Sequence, residues 1–506
     1  MDLIAAQAAR QPHRPALIED ERSLTWEQFF RMRNRLAHAL AALGIGAGQH
    51  AIVYAHNALE NLVVGAALRA LGAIGVPMNH RLTAEEVAYI LDNADATAVF
   101  VGDAFLAMAE RVRGAARVKH WITLGAERRP WAEALDDLLA RGHEAPPPAP
   151  PAMGGSMVYT AGTTGKPKGA LRRVTDPKAI LPRLAAMRCV APDDVHLVAG
   201  PLYHSAPGGF ASYAHAVGQT VVVMRKFDAE EALRTIERHR CTTTFMAPTL
   251  LKRIVDLPAE VRKRYDVRSM RSIIVAAAPC PMRVKEQALA MFGPVLYEFY
   301  GSTELGVNTV LRPEDVLRKP GSCGRAAPGV ELAILDDDGR PAAPGTPGEL
   351  FVRRYDGVFD EYYRNPAATA QTSRGEWMSV GDVAWVDAEG FVYICDRKRD
   401  MIISGGVNIY PAEIEDALHR HPAVEDAAVF GVPDPDWGER VHAAVQLRPG
   451  RGVTPGELLQ FCRAHLADYK TPREVSFHEA FPRDAAGKLV KRLLREPYWT
   501  GRETRV

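Results

Sequence analysis

Between Val158 and Ala170 the chain reads Val-Tyr-Thr-Ala-Gly-Thr-Thr-Gly-Lys-Pro-Lys-Gly-Ala, a loop dense in glycine, threonine and lysine directly after an apolar stretch. Gly162 and Gly165 let the backbone approach an anion closely. The hydroxyls of Thr160, Thr163 and Thr164, with successive backbone N–H groups, can donate to phosphate oxygens, and Lys168 supplies the opposing charge. The loop suits a polyphosphate, with ATP the obvious candidate. It is not a P-loop, which needs a glycine, four residues, then Gly-Lys and a hydroxyl residue. Here the two glycines are three apart and Lys166 is followed by Pro167, so the kinase and GTPase readings fall.

Further candidates follow along the chain. Pro201-Leu202-Tyr203-His204 comes after the apolar run 195–199 and before a Pro-Gly-Gly stretch, and offers His204 as a substrate contact. The run 272–276 leads into Ala277-Ala278-Pro279, whose small side chains let a flat base approach the backbone. In Tyr297-Glu298-Phe299-Tyr300-Gly301-Ser302-Thr303-Glu304 an aromatic ring can stack on adenine, Thr303 can bond an α-phosphate, and Glu304 can hold magnesium. Each has a plainer alternative: a structural histidine, a simple strand end, a buried aromatic strand ending in a polar turn. Likewise Asp396-Arg397-Lys398-Arg399-Asp400 reads as a solvated charge run, Met401 to Pro411 as a hairpin with a bulge, and Lys488 as a surface charge.

Taken in order from Leu24-Thr25-Trp26 to Lys488, these motifs resemble the signatures of the adenylate-forming superfamily of acyl- and aryl-CoA synthetases, luciferases and peptide-synthetase adenylation domains. The resemblance implies an AMP-forming acyl-CoA synthetase, an acid–thiol ligase that uses ATP, magnesium and coenzyme A. In its first half-reaction a carboxylate attacks the α-phosphorus of ATP and expels pyrophosphate. In its second, a thiol attacks the acyl adenylate and AMP departs. By the same resemblance, the 160–168 loop, Ala277-Ala278-Pro279 and Glu298 to Gly301 bind the nucleotide with Thr303. Asp382 in Ser379-Val380-Gly381-Asp382 and Arg397 meet the ribose. Arg399 marks the pivot between domains, where the family commonly has Asp or Lys, and Ser404, Gly405 and Gly406 line the pantetheine tunnel. Lys488, in Gly487-Lys488-Leu489, completes adenylation. Ala161 stands where the family usually has serine. The implied acyl pocket takes in His204, Gly208, Gly209 and Phe210, then Phe245 and Met246, then Val307. Its small, apolar lining suits a fatty or related hydrophobic acid, with an aryl acid such as a benzoate the close competitor. A stand-alone amino-acid adenylation protein and a non-catalytic nucleotide-binding protein are the remaining alternatives.

The elements that must position these residues are legible too. Thr25 with Gln28, Thr83 with Glu86 and Thr454 with Glu457 have capping-box spacing at helix starts. After the first, Phe29, Met32, Leu36, Leu40 and Leu43 recur at helical spacing until Gly44. β-rich runs at 51–54, 98–101, 220–224, 241–246 and 272–276 alternate with helices, which predicts α/β layers. From 330 to 387 short strands and Gly, Pro and Asp turns suggest a small β-barrel or sheet. Beyond residue 396 come a helix over 411–418, strands over 427–430 and 441–447, and a helix over 455–466. The expected architecture is a large multi-subdomain N-terminal domain, 1–396, and a small mobile α+β C-terminal domain, 397–506. The prolines of 146–151 fit either a domain boundary or a connection within one domain.

The chain has 506 residues, 47% apolar and 24% charged, which is ordinary for a globular protein. Its 62 Lys and Arg nearly cancel 61 Asp and Glu, so no global field recruits nucleic acid or an anionic membrane. The ligands should be small molecules: a carboxylic acid, ATP and coenzyme A. The sequence neither requires nor forbids a homodimer. Six scattered cysteines without a Cys-x-x-Cys pair point to reduced thiols in the cytoplasm, and no apolar run approaches the roughly 20 residues that span a bilayer.

Overall fold

The computed structural model describes residues 2–115, 117–160, 166–173, 176, 178–336, 338–397, 400–404, 407–483 and 489–500. The chain divides into two compact units. One comprises Met1–Arg318, Ala327–Val330 and Arg354–Glu376, the other Lys319–Ala326, Glu331–Arg353 and Trp377–Val506.

The first unit is built on two sheets. A seven-stranded sheet runs in the order Leu296–Glu298, Ser272–Val275, Thr243–Met246, Val195–Val198, Thr220–Val223, Pro15–Glu19 and Arg22–Thr25. All neighbours in it are parallel except the last pair. Thr220–Val223, Thr243–Met246 and Ser272–Val275 are buried at every position, as a parallel sheet covered on both faces demands of its β-branched strands. From Val195 to Glu298 helices separate successive strands: Ser205–Val217, Ala229–His239, Pro248–Val255 followed by the short Ala259–Arg262, and Met282–Phe292 carry the chain back to begin the next strand. The carboxyl ends of these strands therefore share one edge.

An eight-stranded sheet holds His50–Tyr54, Ile74–Pro77 and Ala96–Val101 at its centre, with Gly155–Thr160 parallel to Ile74–Pro77. Gly155–Thr160 turns back antiparallel into Lys168–Arg173, so the glycine-rich loop is the connection of a hairpin. The proline run 146–151 lies wholly in the first unit and is a connection within it. There a Cβ on Gly72, at φ +71°, would sit 2.4 Å from the Ala152 carbonyl oxygen, a close approach only glycine permits.

The capping boxes form. Thr25 Oγ1 accepts from the Gln28 N–H at 3.2 Å and Gln28 Oε1 from the Thr25 N–H at 2.8 Å, opening the helix Trp26–Ala42 whose Phe29, Leu36 and Leu40 are buried. Thr83 and Thr454 do the same for Ala84–Asn93 and Pro455–His465.

In the second unit an antiparallel sheet contains Leu332–Leu335, Gly348–Arg353, Asp382–Val386 and Val392–Arg397. A separate sheet pairs Ile402–Ser404 with Val407–Ile409 and Gly438–Leu447, which in turn pairs with Val424–Asp434 and Glu474–Phe477. Alternation along Val424–Asp434 places Ala427 and Val429 against Ile414, Leu418 and Leu458, and Ala428, Phe430 and Val432 against Phe481 and Leu494. Residues 402–494 thus bury two cores of their own.

Candidate active site

The strand ends build the site in the first unit. Because Val195–Val198, Thr243–Met246, Ser272–Val275 and Leu296–Glu298 are parallel neighbours, the segments leaving their carboxyl ends emerge side by side. These segments carry His204, Ala247, Ala277 and the run Phe299 to Glu304. The edge beyond the carboxyl ends of an open parallel sheet is where such folds bind ligands.

Glu304 is the most constrained of these groups. It is buried, and its Oε1 accepts from Thr160 Oγ1 at 3.1 Å and from the Tyr362 hydroxyl at 2.9 Å. The Phe359 N–H donates to its carbonyl at 2.7 Å. Thr160 is the last residue of the strand that opens the glycine-rich loop, so two motifs separated by 144 residues meet in one hydrogen bond. Lys168, at the start of the returning strand, lies with its ammonium 5.2 Å from the Tyr362 ring centroid. Thr303 Oγ1 is 3.1 Å from Ser205 Oγ, and the Thr303 carbonyl accepts from Arg172 Nη2 at 2.5 Å. Ser205, Tyr362 and Arg172 join the site although nothing in the sequence marked them. Gly162, Thr163, Thr164 and Gly165 lie outside the described residues.

Glu304 passes a test for magnesium. Both hydrogen bonds converge on Oε1, and Oε2 makes none among the described residues. No cluster of three or more His, Cys, Asp or Glu suited to a metal occurs among them. One carboxylate with open lone pairs fits an ion that completes its octahedron with water and substrate phosphates.

Ala277 is exposed and holds φ +78°, a left-handed conformation that costs an alanine about 1 kcal/mol or more. With Ala278 and Pro279 it presents bare backbone at the strand end. Tyr300 is anchored through its N–H to Thr309 Oγ1 at 3.0 Å, and Gly301 opens the short hairpin with Val307. Glu298 and Phe299, assigned to the nucleotide by resemblance, each have protein partners of their own. Glu298 forms a buried ion pair with Lys285, and burial pushes its carboxyl up against the opposing pull of that ammonium. Phe299 points its ring onto Phe210 and Phe245, each 6.1 Å away between centroids, while Phe210 and Phe245 stack at 5.4 Å. The three form an aromatic wall beside buried Met246.

His204 is the N-cap of the helix Ser205–Val217 and packs on Tyr203 at 4.3 Å between ring centroids. Tyr203 also meets His80, which burial and the neighbouring His56, Arg81 and His204 lower to about 4, so His80 is neutral at physiological pH. A Cβ on Gly208 would lie 2.7 Å from the Leu202 carbonyl oxygen. Glycine there answers a backbone approach rather than opening space for a ligand, whereas Gly209 has ordinary room 3.7 Å from Tyr213. Val307 is buried and its carbonyl lies 3.2 Å from the Tyr355 hydroxyl.

In the second unit Asp382 and Arg397 are direct cross-strand partners, so the two residues expected at the ribose arise from one register. Asp382 is buried after the turn at Gly381, which has φ +80°. Ser404 ends its strand opposite Val407 and Gly438. Arg399, Gly405, Gly406 and Lys488 lie outside the described residues, but the stem of the Lys488 segment is clear. Arg483 bridges Leu489 and is ion-paired with Asp426, and Lys491 Nζ lies 2.8 Å from Glu415 and 3.8 Å from Asp396. Burial works against the Lys491 charge, but Glu415 and Asp396 more than offset it and raise its pKa.

The family model described as AMP-binding enzyme matches residues 4–363, and the model of the AMP-binding enzyme C-terminal domain matches 413–488. The chain belongs to the AMP-binding enzyme family. This adenylate-forming family includes relatives that span almost the whole chain. A fatty acid–acyl-carrier-protein ligase of Streptomyces coeruleorubidus is 34% identical over 97% of this chain and 95% of its own length. An indoleacetate–CoA ligase of Aromatoleum aromaticum is 34% identical over 97% of both chains. The solved structure of an amide bond synthetase from Marinactinospora thermotolerans matches with a TM-score of 0.89 and 30% identity, covering 98% of this chain and all of that one. The family assignment bears out the expected superfamily and its α/β architecture. No helix among the described residues is long and apolar enough to cross a membrane.

Proposed function

We propose that the chain is an AMP-forming acid–thiol ligase that activates a hydrophobic carboxylic acid as an acyl adenylate and transfers the acyl group to coenzyme A. One observation carries the reading: His204, Ala277, Thr303 and Glu304 leave the carboxyl edge of one parallel sheet, and Thr160 of the glycine-rich loop bonds directly to Glu304. The relatives support a ligase acting on carboxylic acids, with both a fatty acid and an aryl acetic acid among their named substrates.

Two anions must meet in adenylation, so positioning and charge neutralisation dominate. Lys168 and the loop hydroxyls bind the polyphosphate, and Thr303, held by Ser205, donates to the α-phosphate. Magnesium bound at Glu304 would supply positive charge to the phosphates. The bare backbone at Ala277 accepts the flat base, and Asp382 with Arg397 takes the ribose hydroxyls. The acid's carboxylate lies at His204, where the helix Ser205–Val217 presents its positive end. The aromatic wall of Phe210, Phe245 and Phe299 takes the apolar body of the acid. Lys488 serves adenylation, and Ser404 with Gly405 and Gly406 leaves room for the thiol. We assign residues 397–506 to the mobile domain that exchanges these two groups, supported by the cores that 402–494 bury by themselves. We place the protein in the cytoplasm, where its six cysteines stay reduced.

Pyrophosphate release with ATP, magnesium and coenzyme A across matched fatty and aryl acids tests the proposal. Release should depend on the acid and be strongest with apolar ones. No release, together with no acid-dependent ATP–pyrophosphate exchange, would end the enzyme reading, and preference for a hydrophilic amino acid would end the substrate reading.

A further inference from the structure

Arg183, on the short helix Leu181–Ala186, is 4% exposed, and its Nε and Nη1 are buried without a hydrogen-bond partner among the described residues. Its guanidinium lies 4.0 Å from the centroid of the Tyr355 ring. That face contact offsets part of the charge but occupies none of the guanidinium's five N–H donors. A guanidinium stays ionised at any physiological pH, and burying it without an anion carries a heavy desolvation cost. A fold that keeps such a group leaves the anion to a ligand.

Tyr355 ties this cation to the candidate active site. Its hydroxyl lies 2.7 Å from the Leu305 carbonyl, 3.2 Å from that of Val307 and 3.3 Å from Asn308 Oδ1. These residues directly follow Thr303 and Glu304. Asn308 is fully buried, and its Nδ2 is a second donor without a partner among the described residues. Glycine borders the guanidinium: a Cβ on Gly357, at φ +125°, would sit 3.5 Å from Arg183 Nη1. Val307 is also one of the residues of the implied acyl pocket, so Tyr355 connects these unpartnered donors to a residue of that pocket.

We infer that Arg183, with Asn308 Nδ2, receives a second carboxylate at the far end of the acid, so that the preferred substrate is a dicarboxylic acid with an apolar middle. This rests on the acid-activating reading above and replaces its plain fatty or aryl acid with an ω-carboxy one. A carboxylate matches the fork of a guanidinium and would turn an uncompensated buried charge into a bidentate pair.

Calorimetric binding to the full-length protein tests it with matched probes: octanoate against suberate, dodecanoate against dodecanedioate, benzoate against terephthalate, each followed by pyrophosphate release. At least one dicarboxylate should bind about tenfold or more tightly than its monocarboxylate partner. Arg183→Met should erase that advantage and Arg183→Lys should keep part of it, while the ligand-free thermal midpoint of Arg183→Met should equal or exceed that of the wild type. The inference is overturned if every monocarboxylate binds as well as its partner, if the advantage survives Arg183→Met, or if that variant melts well below the wild type. The wild-type comparison decides alone should the variant not fold. Pyrophosphate release without a dicarboxylate advantage overturns this inference and leaves the ligase reading standing; an Arg183-dependent advantage without release does the reverse.

Discussion

At Glu304 one oxygen is committed to Thr160 and Tyr362 and the other is left open, which separates structural from chemical loss on substitution. Glu304→Gln retains an oxygen for both donors but removes the charge. Pyrophosphate release should fall by about 100-fold or more while the thermal midpoint stays near that of the wild type, and rates close to wild type would remove the metal role. A second residue-scale prediction concerns His419 and Asp426, 3.0 Å apart in the second unit. Burial lowers His419, but the hydrogen bond and charge of Asp426 outweigh it and the net shift is upward. Burial raises Asp426, but His419 and Arg483 outweigh it and the net shift is downward. The raised histidine contributes stability that is full below its unfolded value near 6.5 and lost as pH rises through its folded value. The depressed aspartate contributes stability that is present above its unfolded value and lost as pH falls through its folded one. Asp426→Asn should therefore cost about 1–3 kcal/mol at pH 6 and less at pH 9, measured by thermal unfolding of the second unit. Equal losses at both values would refute the pair.

Among the elements, the clearest sequence signals were those whose physics is local. At a helix start, a threonine three residues before a Glu or Gln satisfies two backbone groups, and all three capping boxes form as expected. Thr25→Ala should cost the helix Trp26–Ala42 about 1 kcal/mol, visible as faster hydrogen exchange of its first-turn amides; unchanged exchange would mean that packing alone fixes the start. Strand ends were less legible. The apolar run expected to reach Ala276 stops as a strand at Val275, where the chain turns into the left-handed Ala277. Ala277→Gly should leave stability unchanged or raise it by up to about 1 kcal/mol, whereas Ala277→Val should destabilise and weaken ATP binding. Equal ATP affinity in the valine variant, by calorimetry, would argue against a base at that strand end.

For the whole molecule, two units share the proposed groups unequally: Thr303, Glu304 and His204 belong to the first, and Asp382, Ser404 and Lys488 to the second. Lys488→Ala should impair adenylation while sparing thioester formation from a preformed acyl adenylate, because a lysine that acts on the polyphosphate has no part once pyrophosphate has left. Equal loss in both half-reactions would contradict that division of labour. The relatives use carrier-protein and coenzyme A thiols by name, and one solved structure is an amide bond synthetase, so fold alone does not fix the acceptor.

By itself the sequence determined the chemistry-bearing segments and the alternation of strands and helices, because glycine, threonine and lysine at close spacing, capping pairs and hydrophobic periodicity act over a few residues. Only the tertiary structure decided which of these meet. Thr160 and Tyr362 reach Glu304 across 144 and 58 residues of chain, and Phe299 meets Phe210 and Phe245 from two other elements of the fold. Arg183 carried no motif at all. Its burial against Tyr355 without an anion is a property of packing, set by the parallel sheet and the returning chain rather than by neighbours in sequence.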